Sequence, residues 1–205
     1  MSKRLAIIQE RQTKWETESP GIPFEIVGDS AVVTGWLNGT YRCRAKCYQR
    51  RVDAFVDRCE YLSSKYNVRP PSFGSDLVRH EFREANGRAD HLTHDARHGN
   101  IYTRMCTNLS PYHRAVKYPA AYRAMFDGGV SADGVGCGFW IQCGLLPINR
   151  ETSPFGDMIQ WIDVCESSFA IDPTSSVTDA ELTAVENCLE AAENIIATHQ
   201  RLYFI

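Results

Sequence analysis

The chain has no run of about 18 apolar residues, the length that a membrane-crossing helix needs. Its first residues, Met1-Ser2-Lys3-Arg4-Leu5, lead into Gln9-Glu10-Arg11 and not into the apolar core of an export signal. These absences predict a protein that works inside the cell, in nucleus or cytoplasm, with no membrane partner. The eight cysteines, at 43, 47, 59, 106, 137, 143, 165 and 188, contain no Cys-x-x-Cys pair. Without an export signal, such spacing points to buried free thiols more than to disulfides or a structural zinc. There is no excess of positive charge either. Twenty-two Lys and Arg against 25 Asp and Glu leave a net charge of −3, which does not advertise a nucleic-acid binder. No internal repeat or low-complexity segment is present.

What remains is ordinary globular material. With 205 residues, 43% hydrophobic and 23% charged, the chain can bury one good core, so one domain spanning 1–205 is expected. Charge is unevenly placed. Residues 42–51 (RCRAKCYQRR) carry five basic side chains and no acid, whereas the stretch from 151 is acidic. The basic stretch reads either as a solvated helix face or as a patch that tracks phosphates, with Arg50 and Arg51 at its end.

Residues 3–17 read as a short amphipathic helix on Leu5, Ile8 and Trp15, ended by Ser19-Pro20-Gly21, so residues 1–22 form an N-terminal extension. Residues 24–28 read as a buried strand, and Asp29-Ser30 can cap a helix over 30–38. The apolar spacing Cys43, Cys47, Phe55/Val56, Cys59, Leu62/Tyr66 predicts a long helix over 42–66, broken by Pro70-Pro71. Residues 77–82 alternate as a strand, and 87–97 begin another helix. The polar stretch 98–121 lacks periodicity and reads as a linker. Strands follow near 122–127, 135–143 and 158–166. A helix over 178–199 then carries Leu182, Val185, Leu189, Ala192 and Ile196 on one face.

Four acidic motifs fall on these elements. Phe126-Asp127-Gly128-Gly129 ends a strand and precedes Gly134, Gly136 and Gly138. Ala180-Glu181-Leu182-x-Ala184 opens the last helix. Ile26-Val27-Gly28-Asp29-Ser30 precedes Val33 and Trp36-Leu37-Asn38-Gly39. His80 stands ten residues before Asp90 in His80-Glu81-Phe82-Arg83-Glu84-Ala85-Asn86-Gly87-Arg88-Ala89-Asp90. Each has a plain structural reading: an Asp-Gly turn, a Glu complementing a helix dipole, an N-cap Asp or Ser, and a loop histidine.

Taken together, the four motifs resemble those of type 1 ribonucleases H, and the His-to-Asp segment resembles the retroelement type most specifically. In that family the Asp-Gly strand comes first and the His and last Asp come last. Here residues 24–97 resemble the family's C-terminal half and 122–205 its N-terminal half. The resemblance therefore implies an α/β fold of ribonuclease H-like type, a mixed five-stranded sheet flanked by helices, in circularly permuted order.

The resemblance also implies a chemistry, the endonucleolytic cleavage of the RNA strand of an RNA–DNA hybrid. Asp127, Glu181, Asp29 and Asp90 would hold two divalent ions, Mg²⁺ or Mn²⁺. Asp127 would bridge both, Glu181 and Asp29 would hold one, and Asp90 the other. His80 would shuttle protons or aid product release. Gly128, Gly129, Ser30, Asn86, Arg50 and Arg51 would contact nucleic acid, and Glu181 with nearby backbone would read the 2′-hydroxyl. Two other readings stay open. One is an inactive nucleic-acid-binding or interaction domain of the same fold. The other is a fragment of a tandem array whose halves swap between two chains, in place of a monomer.

Overall fold

The computed structural model describes residues 21–69, 76–105, 119–145 and 160–203. The N-terminal helix expected over 3–17 lies outside them. The centre of the molecule is an antiparallel meander. Strand β5 (Pro119–Ser131) turns through two residues into β6 (Gly134–Leu145), and β6 pairs in turn with β7 (Gln160–Ala170). Strand β1 (Ile22–Gly28) lies parallel to β5, with Phe24 opposite Tyr122 and Val27 opposite Met125. The two halves of the chain thus share one sheet.

Two short strands continue the sheet beyond β1, both parallel to it. β2 (Val68–Arg69) meets Ile22 and Pro23, and β3 (Arg79–His80) meets Val27 and Gly28. On the far side β4 (Tyr102–Met105) runs antiparallel to β7. The order is β2-β1-β5-β6-β7-β4, with β3 beside β2 on the outer side of β1. The sheet is mixed but wider than five strands. The extra edge comes from the stretch expected to be a linker: Tyr102 to Met105 are exposed, and their pairing to β7 makes them a strand without any apolar period.

Helices cover both faces, as successive strand residues require. Cys137 of β6 faces helix α4 (Val177–Tyr203), its thiol donating to the Ala180 carbonyl at 3.3 Å. Its neighbours Gly136 and Gly138 face helix α3 (Gly87–Arg97). A Cβ on Gly138 would stand 2.6 Å from both Leu92 Cβ and the Thr93 nitrogen, so glycine lets the helix rest on the strand. The expected apolar face of α4 is the one that is buried: Leu182, Val185, Leu189, Ala192 and Ile196 all join the main core. Fully burying each of the larger side chains stabilises the fold by roughly 1.5–3 kcal/mol.

Helix α1 (Ala31–Leu37) and helix α2 (Lys46–Tyr66) lie between β1 and β2 in the chain, and α2 packs on α4. α2 starts later than the apolar spacing implied. Ala45 is its N-cap, so Cys43 precedes the helix, and Cys47 is exposed. α2 ends at Asn67, whose left-handed backbone (φ 50°) closes it. The seven described cysteines are free thiols, six of them buried. No described helix is long and apolar enough to cross a membrane.

Candidate metal centre

Three carboxylates from three separate elements converge where β1 and β5 run side by side. Asp127 sits near the end of β5, Asp29 directly follows β1, and Glu181 lies in the first turns of α4. Each offers a ligand oxygen, and these oxygens lie within 4.8 Å of one another. Asp127 is 2% exposed and Glu181 4%, while Asp29 is half-buried.

Local chemistry fixes each position. Ser30 caps α1, its Oγ accepting from the Val33 amide at 3.4 Å, and so the chain turns directly at Asp29. α4 opens with a reciprocal cap. Ser176 Oγ accepts from the Asp179 amide, and Asp179 Oδ2 accepts from the Ser176 amide, each at 3.1 Å. Tyr48 and Arg51 of α2 also hold Asp179. The start of α4 lies on Gly128, whose amide donates to the Glu181 carboxylate. On the other face, Thr93 of α3 donates from Oγ1 to the Asp127 carbonyl at 2.9 Å.

Gathering like charges in a buried place carries a cost. Burial first, then the neighbouring Asp127 and Asp29 charges, push the Glu181 carboxyl up to about 9. Burial and the Asp29 charge push Asp127 up to about 7, with Thr93 opposing the shift. Asp127 Oδ2 and Glu181 Oε2 are buried and have no hydrogen-bond partner among the described residues. A buried acceptor left unpaired costs about 1–3 kcal/mol, more if charged. Two such oxygens beside a third carboxylate fit a hard divalent cation, which prefers oxygen ligands. The described residues therefore contain one acidic cluster that can hold a metal ion.

The fourth expected carboxylate, Asp90, stands in the first turn of α3 and adds its charge to the field at Asp127. It is not among the three converging groups. Arg83 holds it instead, with Nε at 2.9 Å and Nη2 at 2.6 Å from Asp90 Oδ1. His80 ends β3, exposed, with Nε2 3.0 Å from the Asp29 carbonyl oxygen. Asn38 sets the backbone leading to it. Asn38 Nδ2 donates to the Val78 carbonyl at 2.8 Å, and the Val78 amide donates to Asn38 Oδ1 at 2.9 Å.

Several residues expected to touch nucleic acid have other work. Asn86 is wholly buried and donates from Nδ2 to the Phe126 carbonyl at 2.9 Å, tying the start of α3 to β5. Gly128 is buried under α4, and Gly129 packs against Thr93 and Arg97. Ser30 serves as a helix cap. Arg51 makes a two-pronged ion pair with Glu186, Nε at 2.7 Å and Nη2 at 2.6 Å, and reaches Thr183 as well. That links α2 to α4 and removes Arg51 from the free basic surface. Arg42, Arg44, Lys46 and Arg50 are exposed.

Sequence reasoning passed over Arg83 and Thr93. Thr93 had a signal, since it follows Asp90 by three residues and so shares its helix face. Arg83 had none, because its pairing crosses a loop.

No family model matches this chain, and no curated protein and no solved structure matches it.

Proposed function

We propose that this protein is a metal-dependent endonuclease of ribonuclease H type that cuts the RNA strand of an RNA–DNA hybrid. The observation that carries this reading is the convergence of Asp29, Asp127 and Glu181, with one buried oxygen each on Asp127 and Glu181 left without a hydrogen-bond partner among the described residues. The order of elements supports it. Starting at β5, the chain runs through three antiparallel strands and a helix, and then through β1 and the β2/β3 edge, which are parallel to β5 and linked by helices. That is the order a circularly permuted ribonuclease H-like domain requires.

In this reading Asp29, Asp127 and Glu181 would hold one ion, and Asp90, with Asp127, would serve a second. Bound Mg²⁺ or Mn²⁺ supplies a lowered pKa for water and charge stabilisation at the leaving oxygen. The protein's own part is placement. β5 and α4 hold Asp127 and Glu181 rigidly, so their geometry does not depend on a loop. A water oxygen, giving up a proton, forms a bond to phosphorus as the bond to the 3′-oxygen breaks, and the leaving oxygen takes up a proton to become a hydroxyl. His80, exposed beside Asp29, is placed to move a proton to or from the product side. The exposed basic side chains Arg42, Arg44, Lys46 and Arg50 balance the acidic centre and hold the phosphate backbone.

The test is a cleavage assay on an end-labelled RNA–DNA hybrid, with Mg²⁺, with Mn²⁺ and with chelator, beside duplex RNA and duplex DNA. The expected result is a cut RNA strand in the hybrid alone, abolished by chelator and by Asp127→Asn. An intact hybrid, or equal cutting of duplex DNA, overturns the reading.

A further inference from the structure

Arg83 is a charged feature of the centre that the proposed chemistry leaves unused. It lies between β3 and α3, in the segment that separates His80 from Asp90. Its side chain is 66% exposed, so it is not there to fill the core. Yet its guanidinium is held at two points on one oxygen, Asp90 Oδ1, by Nε at 2.9 Å and Nη2 at 2.6 Å. The acids around it reach beyond this pair. Asp90, Asp127 and Asp29 all stabilise its positive charge, and that charge in turn favours ionisation of Glu181. Arg83 therefore stands in the field of all four carboxylates while bonded to one.

Resting on the metal-centre reading above, we propose that Arg83 is a resident counter-ion for Asp90, which a divalent cation must displace to take the Oδ1 of that carboxylate. Asp127 and Glu181 each present one buried oxygen, Oδ2 and Oε2, without a partner among the described residues, and so the first ion finds an open acceptor on each. Asp90 differs, since its Oδ1 is already occupied by a charge-assisted pair. A cation arriving there trades one positive partner for another. The exchange sets the two ions apart: one site is open at low metal, and the other opens only when the metal concentration overcomes the arginine. Arg83 is thus a positioning residue that tunes metal occupancy and does not itself ligate the ion.

The experiment is calorimetric titration of Mn²⁺ into the full chain, with no nucleic acid present, for the wild type, Arg83→Gln, Asp90→Asn and the double variant. Thermal melts confirm that each is folded. An exposed pair is worth modestly more than nothing, and one made by two donors on one oxygen somewhat more. Arg83→Gln should therefore tighten the weaker Mn²⁺ site by about three- to tenfold and leave the tighter site within about twofold. In the Asp90→Asn background the same change should have no such effect. Arg83→Lys keeps the charge without the fork and should fall between wild type and Arg83→Gln.

Unchanged or weakened Mn²⁺ binding in Arg83→Gln overturns the proposal. So does an equal gain in the Asp90→Asn background, because the arginine would then act only through its distant field. Absence of any Mn²⁺ binding to the wild type overturns the metal centre itself, and the exchange with it. Since the titration contains no hybrid, loss of the nuclease reading and loss of this one are read separately.

Discussion

Gly128 lies directly beneath the peptide that joins Ala180 to Glu181. A Cβ at position 128 would stand 2.2 Å from the Ala180 carbonyl carbon and 2.3 Å from the Glu181 nitrogen. Both are backbone atoms, so no flexible side chain can swing away. The glycine therefore sets how closely the Glu-bearing helix approaches the Asp-bearing strand. Gly128→Ala should destabilise the fold by about 1–3 kcal/mol, the usual cost of overpacking. It should also weaken Mn²⁺ binding at least tenfold, because Glu181 must move with its helix. Denaturant melts and a metal titration check both halves. A variant of wild-type stability and metal affinity would show that the contact is not a constraint.

The raised carboxyls make a signed prediction about pH. Asp127 and Glu181 are shifted up to about 7 and about 9, from ordinary values of about 3.9 and 4.3 in an unfolded chain. A raised folded-state value means that the folded protein holds protons more tightly than the unfolded one. That contribution to stability is present in full below about pH 4 and is lost as pH rises through about 7 and 9. In chelator, the melting temperature should fall by roughly 5 °C or more between pH 5.5 and pH 9. Mg²⁺ or Mn²⁺ should restore most of the loss, and more at pH 9 than at pH 5.5. Asp127→Asn should flatten the slope, since it removes one titrating group and one charge facing Glu181. Asp179, held low mainly by Ser176, works in the opposite sense but titrates below this window. A flat profile in chelator would contradict the crowding of charge at the site.

Much of this was legible in the chain, and the exceptions have physical causes. α3 spans Gly87–Arg97, as the sequence led one to expect, and the apolar face of α4 is its buried face. Periodicity is strong where a long helix covers a sheet. It fails at β4, whose residues are all exposed and are held by pairing alone. It also overstates the strand expected over 77–82, of which only Arg79–His80 pair with β1. Asn38 takes both backbone groups of Val78 and stands in for a neighbouring strand. At the site, the resemblance of their motifs to a known family pointed to Asp29, Asp127 and Glu181, where residue type and spacing alone left plain structural readings open. They could not reveal that Asn86 is buried, that Arg51 belongs to Glu186, or that Asp90 is held by Arg83. Those depend on which side chains meet across loops and helices.

The basic stretch should divide into two classes on mutation. Arg51 is tied to Glu186 and Thr183, with its charge strengthened chiefly by the Glu186 hydrogen bond. Arg51→Gln should lower stability by about 0.5–1.5 kcal/mol, a partly screened pair, with little change in hybrid affinity per folded molecule. Arg42, Arg44, Lys46 and Arg50 are exposed. Neutralising Arg44 and Arg50 together should weaken hybrid binding alike for every sequence and flatten its salt dependence by about two units of slope. Filter binding across a salt series separates the two classes. If the exposed pair leaves both affinity and slope untouched, the stretch is only a solvated face.

His80 offers the sharpest separation of chemistry from binding. It is exposed at the end of β3, and its ring hydrogen bond among the described residues, from Nε2 to the Asp29 carbonyl at 3.0 Å, is to the backbone of a residue that bears one of the three converging carboxylates. A carbonyl can only accept, so Nε2 carries the proton in this arrangement, and Nδ1 is left as the acceptor when the ring is neutral. The ring thus stands beside the centre with one nitrogen that holds a proton and one that can take one. Proton transfer by a positioned side chain contributes typically 10²–10⁴-fold to rate. An exposed histidine at a strand end makes few ground-state contacts, so its loss should alter hybrid affinity by less than about tenfold. His80→Ala should therefore lower kcat by about 10²-fold or more with a nearly unchanged Kd for hybrid. Fold and metal affinity should be preserved, since no carboxylate is removed. Single-turnover cleavage alongside equilibrium binding reads both quantities. An unchanged rate with lost binding would move His80 from proton transfer to substrate contact, and would leave the carboxylate centre standing.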